Sequence, residues 1–457
     1  MKLPVAPPPT GPAEFVKVLR TTDGIDRWMR LNNATLGPAP GGKYRHWDTF
    51  RHKLPLEGLP AEEQWMVVKA ARRGLYRALP LRDAQGSAFK YALPNVALEM
   101  LHIVDRKGGG NIKVNEQVTN PATRDTYLFK SIVEEAITSS QLEGASTTRK
   151  VAKAMIQEGR PPRTRSERMI LNNYEAMRQV LRMKDEPLTP ALVLSLQRIL
   201  TEGTLDAPDA SGRFRRADED IVIEDETGNR LHTPPPSDQL EERMSAMCDF
   251  ANALGGGEFM PPAVRAILLH LWLAYDHPFV DGNGRTARAL FYWSMAHQGY
   301  WLCEYLSISR ILKKARGQYA RSFLYTESDE NDATYFLLYQ LRVLLRAIDE
   351  LYEFLARKAA DMRAAEEMVR RATRIRGEFN HRQLAIIQHA AKNPEARYTL
   401  GSHRRSHGVS YQTARTDLLK LASEHLLEQV KIGRAFAFIP SRDLHTRLEA
   451  RSRRPPI

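Results

Sequence analysis

The sequence predicts a mainly α-helical protein of more than one domain, on three observations. Apolar residues recur at helical spacing along most of the chain, most clearly over residues 128–143, 262–275 and 382–390. Strand patterns are short apolar runs beside turn residues, near residues 221–229 and 430–439. The length of 457 residues exceeds the usual size of a single hydrophobic core. We therefore expect helical domains that carry two small β-hairpins.

Composition narrows the class of protein. Hydrophobic residues make up 42% of the chain and charged residues 26%, as is usual for a globular protein in water. No apolar run approaches the length of a bilayer span, and residues 1–9 lack the apolar segment of a signal peptide, so we expect a cytoplasmic protein with no membrane contact. Cys248 and Cys303 lack the spacing of a zinc site and are expected to be core thiols. The net charge of +13 suits an acidic partner but does not by itself select nucleic acid.

Residues 1–105 form the first predicted region. Proline and glycine are frequent in the first 60 residues, which predicts loops with short elements. Residues 61–105 are predicted to be helical. Three glycines at residues 108–110 predict a linker and not a phosphate loop, because no GK[ST] follows them.

The next region is predicted to contain long helices, of which one ends in a glycine cap and two are separated by a break. The helical pattern over residues 128–143 ends at Gly144, where a left-handed C-terminal cap is expected. Residues 164–202 predict two helices that are broken near Pro187.

Residues 212–236 depart from the helical pattern. A turn-rich lead precedes the apolar triplet Ile221, Val222 and Ile223, and a turn at residues 226–229 precedes three prolines. This pattern predicts a short hairpin. Acidic residues flank the triplet on both sides: Asp218, Glu219, Asp220, Glu224, Asp225 and Glu226.

Residues 277–288, which read HPFVDGNGRTAR, concentrate the chemistry of the chain. Pro278 disfavours helical backbone in the residue before it, so the helix over residues 262–275 should end at about His277. Helical spacing resumes after residue 284, so Gly282, Asn283 and Gly284 should lie at the N-terminus of a second helix. Backbone N–H groups and the helix dipole make such a place an anion site.

The charged residues of this stretch extend the prediction to phosphates. Arg285 and Arg288 lie one turn apart, where two guanidinium groups can hold adjacent phosphoryl groups. Asp281 is a hard oxygen ligand of the kind that Mg²⁺ uses beside phosphates. His277 titrates near neutral pH and is the candidate general base for a hydroxyl nucleophile. Together they predict phosphoryl or nucleotidyl transfer.

Written as HPFxDGNGRxxR, this stretch resembles the signature of the Fic family at each defining position. The resemblance implies transfer of AMP from ATP to a Ser, Thr or Tyr hydroxyl of a protein, with release of pyrophosphate. It implies that His277 deprotonates the hydroxyl and that Asp281 holds Mg²⁺. It further implies that Gly282, Asn283 and Gly284 bind phosphates, and that Arg285 and Arg288 hold the β and γ phosphates.

Two earlier segments also resemble Fic proteins. Ser139, Glu143 and Gly144 match the inhibitory motif [ST]xxxE[GN], near the end of a helix predicted over about residues 124–144. In the family this glutamate pairs with the second arginine of the signature, here Arg288, and prevents productive seating of the γ phosphate. The hairpin of residues 212–236 resembles the family's flap, in which Ile221, Val222 and Ile223 would position a target segment by strand addition.

The end of the chain predicts a separate module. A long charged helical pattern covers residues 335–374. Ser410 is placed to cap a helix over residues 411–421, and a two-strand hairpin follows that turns at Gly433. This order resembles a winged helix. Its candidate contacts to DNA are Tyr411, Gln412, Arg415 and Arg434.

These assignments divide the chain into four regions. They are an N-terminal region, 1–105; a Fic-type helical core with a β-hairpin flap, 106–362; a charged helical linker, 363–378; and a winged helix-turn-helix domain, 379–457.

The leading functional prediction is a protein adenylyltransferase that uses Mg²⁺ and ATP, modifies a target protein and itself, and is inhibited by Glu143. Removal of AMP from a protein, or transfer of another phosphate-containing group, is an alternative within the same class. A DNA-binding regulator that acts through the winged helix is the alternative of another class. A homodimer is a further partner that the sequence leaves open.

Overall fold

The computed structural model describes residues 2–108, 121–225, 227–254, 258–373, 379–432 and 435–452. The protein is mainly helical, as predicted, with 61% of its residues in helices. The chain divides into two compact units, Met1–Leu351 and Tyr352–Ile457. This division falls within a long helix, before the predicted linker of residues 363–378.

The first unit contains fourteen helices among its described residues, and a fifteenth begins in it. They are α1 Pro12–Leu19, α2 Gly24–Asn33, α3 Trp47–Phe50, α4 Ala61–Arg73, α5 Asn95–Gly108, α6 Pro121–Leu142, α7 Arg149–Glu158, α8 Arg165–Arg182, α9 Pro190–Thr201, α10 Leu240–Ala251, α11 Pro262–Asp276, α12 Asn283–His297, α13 Ile308–Lys314, α14 Arg316–Ser328 and α15 Thr334–Thr373. Two antiparallel hairpins complete it: β1 Arg77–Arg82 with β2 Ala88–Tyr91, and β3 Ile223–Glu224 with β4 Arg230–His232.

Helices α11 and α12 form the centre of the first unit. Nearly all of their side chains are buried, which is the pattern of helices that are surrounded by protein on every side. They pack against each other, and α12 also packs against α6, α8 and α9. The short connection between them, residues 277–282, is therefore held from several directions.

The hairpin β1–β2 corrects the prediction that residues 61–105 are helical. In β1 burial alternates along the strand, so that Leu79 and Leu81 face inward. Asp83 organises the connecting turn by accepting hydrogen bonds from the N–H groups of Gln85 (2.9 Å) and Ser87 (2.8 Å). Turn chemistry and a two-residue period therefore override the helical pattern in this segment.

Buried polar pairs join the N-terminal region to the rest of the first unit. Lys69 on α4 forms a fully buried ion pair with Asp329 (2.8 Å). One turn later, Arg72 donates to the hydroxyl of Tyr335 (2.6 Å), and its guanidinium lies 3.6 Å from the centre of the Tyr44 ring. Each charge is thus paired where water is excluded, as buried ions require.

The second unit has four helices after α15 and one hairpin among its described residues. They are α16 His381–Lys392, α17 Leu400–His407, α18 Tyr411–Ser423, β5 Leu427–Ile432, β6 Ala435–Pro440 and α19 Leu444–Ser452. Ser410 caps α18 as predicted, because its side chain accepts from the N–H of Thr413 (3.1 Å). Asp417 of α18 is buried and accepts from Arg382 (2.7 Å), which ties α18 to α16.

Among the described residues, no helix combines the length and the apolar character needed to cross a lipid bilayer.

Candidate active site

His277 lies at the end of α11 in a left-handed backbone conformation, with φ 46° and ψ 54°. Its N–H donates to the carbonyl oxygen of Leu273 (3.0 Å), so the helix ends where the sequence predicted. The ring atom Nδ1 lies 3.3 Å from the carbonyl oxygen of Ala274. An Nδ1–H that donates to this oxygen leaves the lone pair on Nε2, which is the form of histidine that can accept a proton.

The protonation of His277 is set by its surroundings. Burial lowers its pKa from 6.5 to about 4; the contact with Ala274 and the charge of Glu143 oppose this change, whereas His232 and Arg215 reinforce it. The side chain is therefore neutral at physiological pH.

Asn283 fixes the signature loop, residues 277–282. Its side chain accepts from the N–H of Phe279 (2.9 Å) and donates to the Phe279 carbonyl oxygen (2.7 Å). From α9, the buried Gln197 donates to the carbonyl oxygen of Asp281 (3.0 Å) and accepts from the N–H of Gly212 at the start of the flap (2.6 Å). The loop and the flap are thus joined through one glutamine.

Two glycines have different structural roles at the start of α12. Gly282 is the N-cap residue with φ 89°, a conformation that favours glycine. Gly284 is helical, but a Cβ there would lie 2.2 Å from Oε1 of Glu143. A carboxylate oxygen therefore already packs against the N-terminal turn of α12, where the sequence predicted an anion site.

Asp281 and Arg285 interact with each other. The Asp281 carboxylate accepts from the N–H of Gly282 (2.5 Å) and pairs with the Arg285 guanidinium (3.1 Å). Arg285 is buried and also donates to the carbonyl oxygen of Leu200 on α9 (2.8 Å), while its Nε meets no hydrogen-bond partner among the described residues. The Asp281 side chain is 38% exposed, so part of the carboxylate remains accessible to a cation.

Arg288 faces a different neighbour, the C-terminal end of α6. Its guanidinium donates to Oγ of Ser139 (2.9 Å), to the Ser139 carbonyl oxygen (3.1 Å) and to Oε1 of Glu143 (2.8 Å). Burial opposes the charged form of Arg288, but the charge of Glu143 and its hydrogen bond, together with Tyr319 and Glu135, outweigh burial and raise the pKa of the guanidinium. Gly144 follows with φ 94°, in the left-handed conformation that the sequence predicted for this cap.

The flap is bound to the end of α11 by hydrogen bonds that the sequence did not predict. Arg215 donates from Nε to the carbonyl oxygen of His277 (2.9 Å), and its own N–H donates to the carbonyl oxygen of Pro278 (2.9 Å). On β4, Nε2 of His232 lies 2.7 Å from the carbonyl oxygen of Tyr275. No local pattern marks Arg215, since the acceptor lies 62 residues away.

The apolar triplet of the flap is only partly in a strand. Ile223 belongs to β3, whereas Ile221 and Val222 precede it, and all three side chains are half-buried. Glu226, one of the acidic residues noted in the flap, lies outside the described residues. The strand pairing is short, from Ile223 opposite His232 to Glu224 opposite Arg230.

The second unit carries the candidate DNA contacts. Tyr411, Gln412 and Arg415 are exposed on α18, and 56% of the Tyr411 surface is accessible. Arg434 and the turn residue Gly433 lie outside the described residues.

Residues 187–295 match the family model of the Fic/DOC family. The protein adenylyltransferase Fic of Nematostella vectensis is 30% identical over 244 residues, which are 50% of this chain and 53% of that protein. The protein adenylyltransferase fic-1 of Caenorhabditis briggsae is 38% identical over 68 residues, which are 15% of this chain and 13% of that protein. The chain thus matches about half the length of the first relative and a smaller share of the second.

Two solved structures are similar over longer stretches. A Fic family protein from Desulfovibrio desulfuricans G20 has a TM-score of 0.48 and 20% identity, over 76% of this chain and 95% of that one. Residues 134–508 of Fic-1 from C. elegans have a TM-score of 0.48 and 16% identity, over 75% of this chain and 96% of that one.

A helical hairpin carries the signature at its turn, within the stretch that is similar to a Fic domain. The matched residues 187–295 contain α9, the flap, α10, α11 and all but the last two residues of α12. The segment Ser139–Gly144 and the whole second unit lie outside that match.

Proposed function

We propose that the protein is an adenylyltransferase that moves AMP from ATP to a Ser, Thr or Tyr hydroxyl of a target protein and of itself. The observation that carries this proposal is the arrangement around residues 277–288. A neutral histidine ends one buried helix, and the next buried helix begins a few residues later with an N-terminus suited to anions and with two buried arginines in its first two turns. The named activity of the N. vectensis relative supports the same reaction.

His277 is the general base of the proposed reaction. Nε2 takes the proton of the target hydroxyl as its oxygen bonds to the α phosphorus of ATP. The bond between the α phosphorus and the bridging oxygen then breaks, and pyrophosphate leaves with that electron pair. A base with a lowered pKa suits this role because it is unprotonated before the hydroxyl arrives.

Gly282, Asn283 and Gly284 bind the phosphates in this proposal. The carboxylate of Glu143 against Gly284 supports this assignment, because an anionic oxygen already lies beside the helix N-terminus there. Arg285 and Arg288 offset the charge of the leaving pyrophosphate. Both guanidinium groups form contacts to protein in this structure, so each has to exchange a partner when phosphates bind.

The residues at Asp281 fit Mg²⁺, which would supply further positive charge beside the phosphates. The Asp281 carboxylate is part-exposed, and the described residues contain no group of three or more metal-ligating side chains. Mg²⁺ held there would therefore take most of its ligands from phosphate oxygens and water, as is common for this ion.

Glu143 inhibits the enzyme in this proposal. Its pairing with Arg288 removes the cation that would hold the γ phosphate, and its charge repels the triphosphate. The hydrogen bonds from Arg288 to Ser139 hold the same end of α6 in place. An active state requires Arg288 to leave Glu143.

Labelled ATP tests the reaction directly. ATP that carries the label on the α phosphate should label the protein itself, and the label should depend on Mg²⁺. ATP labelled on the γ phosphate should leave the protein unlabelled. Label from the γ position would instead indicate phosphate transfer, and loss of label from a pre-modified protein would indicate removal of AMP.

A second candidate function is DNA binding by the second unit as a winged helix. The observation that favours it is the exposure of Tyr411, Gln412 and Arg415 on α18, which Ser410 caps and which precedes the β5–β6 hairpin. Exposed polar and aromatic side chains on such a helix are the groups that contact bases and phosphates. A homodimer through the same unit is the competing proposal.

A further inference from the structure

The flap supplies hydrogen-bond donors to the carbonyl oxygens at the end of α11. The last carbonyls of any helix lack intrahelical partners. Here the carbonyl oxygens of Tyr275, His277 and Pro278 are contacted in turn by the His232 ring, the Arg215 side chain and the Arg215 N–H. The flap therefore caps the helix that carries the catalytic base.

Arg215 is the centre of this cap. It is only 8% exposed, and its guanidinium donates to two carbonyl oxygens, one on His277 and one on Pro235 at the far end of the flap. Burial lowers the pKa of Arg215, and the charge of Asp276 partly offsets this effect. Burying a cation whose acceptors are main-chain oxygens costs free energy. The flap and the end of α11 therefore have to hold Arg215 in place.

The arginine fork suits this geometry better than any other side chain. Donors on Nε and on one Nη point in different directions from a rigid plane, so one side chain can reach His277 and Pro235 at once. Lysine has a single ammonium group on a flexible stem and cannot hold both oxygens with the same precision. Both ends of the flap are thus fixed to the residue that would accept the proton.

We propose that Arg215 is a positioning residue that sets the place of His277 relative to the flap, so that the base and the target segment are held by one side chain. This inference rests on the proposed transfer reaction. It couples the binding of the target segment to the position of the base. A shift of the flap moves Arg215 and thereby the backbone of His277. Small displacements of a reacting group are sufficient to cost about 10²-fold in rate.

The charge of Arg215 gives a second readout. The charged or titratable groups that act on His277 are Glu143, His232 and Arg215, of which only Glu143 favours its protonated form. Loss of the Arg215 charge therefore makes His277 easier to protonate. The acid side of the rate profile should then move to higher pH, which a purely structural residue would not cause.

The test compares Arg215→Met and Arg215→Lys with wild type, in the full chain and in the full chain that also carries Glu143→Gly. We expect Arg215→Met to lower kcat for labelling by α-labelled ATP by about 10²-fold, with the KM for ATP within about twofold, because the phosphate site is untouched. Arg215→Lys should restore the wild-type acid limb but only part of kcat.

Arg213→Met is the matched control, since Arg213 lies two residues away and pairs with Glu219 (2.7 Å) without contacting His277 or Pro278 in any hydrogen bond among the described residues. Its kcat should stay within about twofold of wild type, as is usual for a part-exposed ion pair. Thermal unfolding of each variant gives its folded fraction, and kcat is expressed per folded molecule.

The outcomes separate the inference from the proposed function. Transfer by wild type, with equal kcat per folded molecule for Arg215→Met and Arg213→Met, would overturn the role of Arg215 alone. A fall in kcat that Arg215→Lys restores completely, with no change in the acid limb, would also overturn it. Absence of AMP transfer by wild type and by Glu143→Gly would instead contradict the proposed reaction.

Discussion

Arg288 forms three hydrogen bonds where α6 ends. Ser139, in the last turn of α6, and Glu143, which directly follows that helix, supply three acceptors to a guanidinium that is almost fully buried. Truncating one partner of such a pair leaves the other charge without compensation. A single substitution at any of these three residues is therefore expected to have a large effect on function.

Replacement of His277 by alanine should lower AMP transfer by ~10²–10⁴-fold, the usual contribution of a general base. ATP binding should be retained, because the phosphate site begins at Gly282. Incorporation of α-labelled ATP and calorimetry with ATP measure the two quantities. His102→Ala, at an exposed histidine of α5, is the control and should transfer at the wild-type rate. Equal turnover in the His277 variant would exclude this histidine as the base.

The pH dependence follows from the lowered pKa of His277. In the folded protein this pKa is about 4, against 6.5 for an ordinary histidine, so kcat/KM should fall on the acid side near the lower value. Between the two values the unfolded chain binds the additional proton, so the free energy of unfolding should also decrease as the pH is lowered. Rate profiles and urea titrations at several pH values check both. An acid limb near 6.5 would show that water reaches the ring.

The pair Glu143 and Arg288 can be tested by a double-mutant cycle. Glu143→Gly should raise labelling of the protein and of added targets, because Arg288 becomes free to bind phosphate. Arg288→Ala and the double variant should both be inactive, since the released arginine is the group that positions the nucleotide. If Glu143→Gly labels no faster than wild type, the contact is an ordinary helix end and control lies elsewhere.

At the scale of elements, α6 is anchored about two turns before Glu143, the residue with the proposed inhibitory role. Glu135 is buried and accepts from Oγ of Ser307 (2.8 Å) and from the N–H of Ser309 (3.1 Å), at the start of α13. Burial raises the pKa of Glu135, and the bonds from Ser309 and Ser307 oppose that change. The position of Glu143 thus depends on a polar contact between two helices.

Glu135→Ala should both destabilise the protein and release inhibition. The buried donors of Ser307 and Ser309 would lose their acceptor, which costs ~1–3 kcal/mol for each unsatisfied group. Labelling by α-labelled ATP should rise because the end of α6 is held less firmly. Glu134→Ala is the control, because Glu134 pairs with the exposed Arg149 and should change stability by about 0–1 kcal/mol. If Glu135→Ala is less stable but labels no faster than wild type, the anchoring of α6 by Glu135 has no part in inhibition.

Local signals account for what could be predicted from the sequence. The caps at Gly144 and Ser410, and the helix end before Pro278, follow from a few adjacent residues, and all three are confirmed. The hairpin β1–β2 was missed because its short strands lie between two helical patterns. The contacts of Arg215 could not be predicted, because they join distant segments through main-chain oxygens that look alike in any sequence.

At the scale of the whole molecule, the two units allow the two candidate functions to be separated. If α18 enters a groove of DNA, removal of residues 377–457 should abolish DNA binding and its steep dependence on salt, while self-labelling by AMP is kept. Titration of a duplex at several salt concentrations, on the full chain and the truncated chain, measures this. Equal DNA binding by both chains would assign it to basic charge on the first unit. Loss of a dimer on truncation would favour the interaction role.

The contact between Glu143 and Arg288 joins two residues of one chain that are 145 positions apart. Its effective concentration is fixed by the fold, so dilution of the protein leaves it unchanged. A free peptide with the sequence of α6 would have to compete with a tethered copy that is always present. If Glu143 inhibits the enzyme as proposed, dilution alone does not relieve the inhibition, and relief requires a ligand or partner that displaces the end of α6 or a change within that segment.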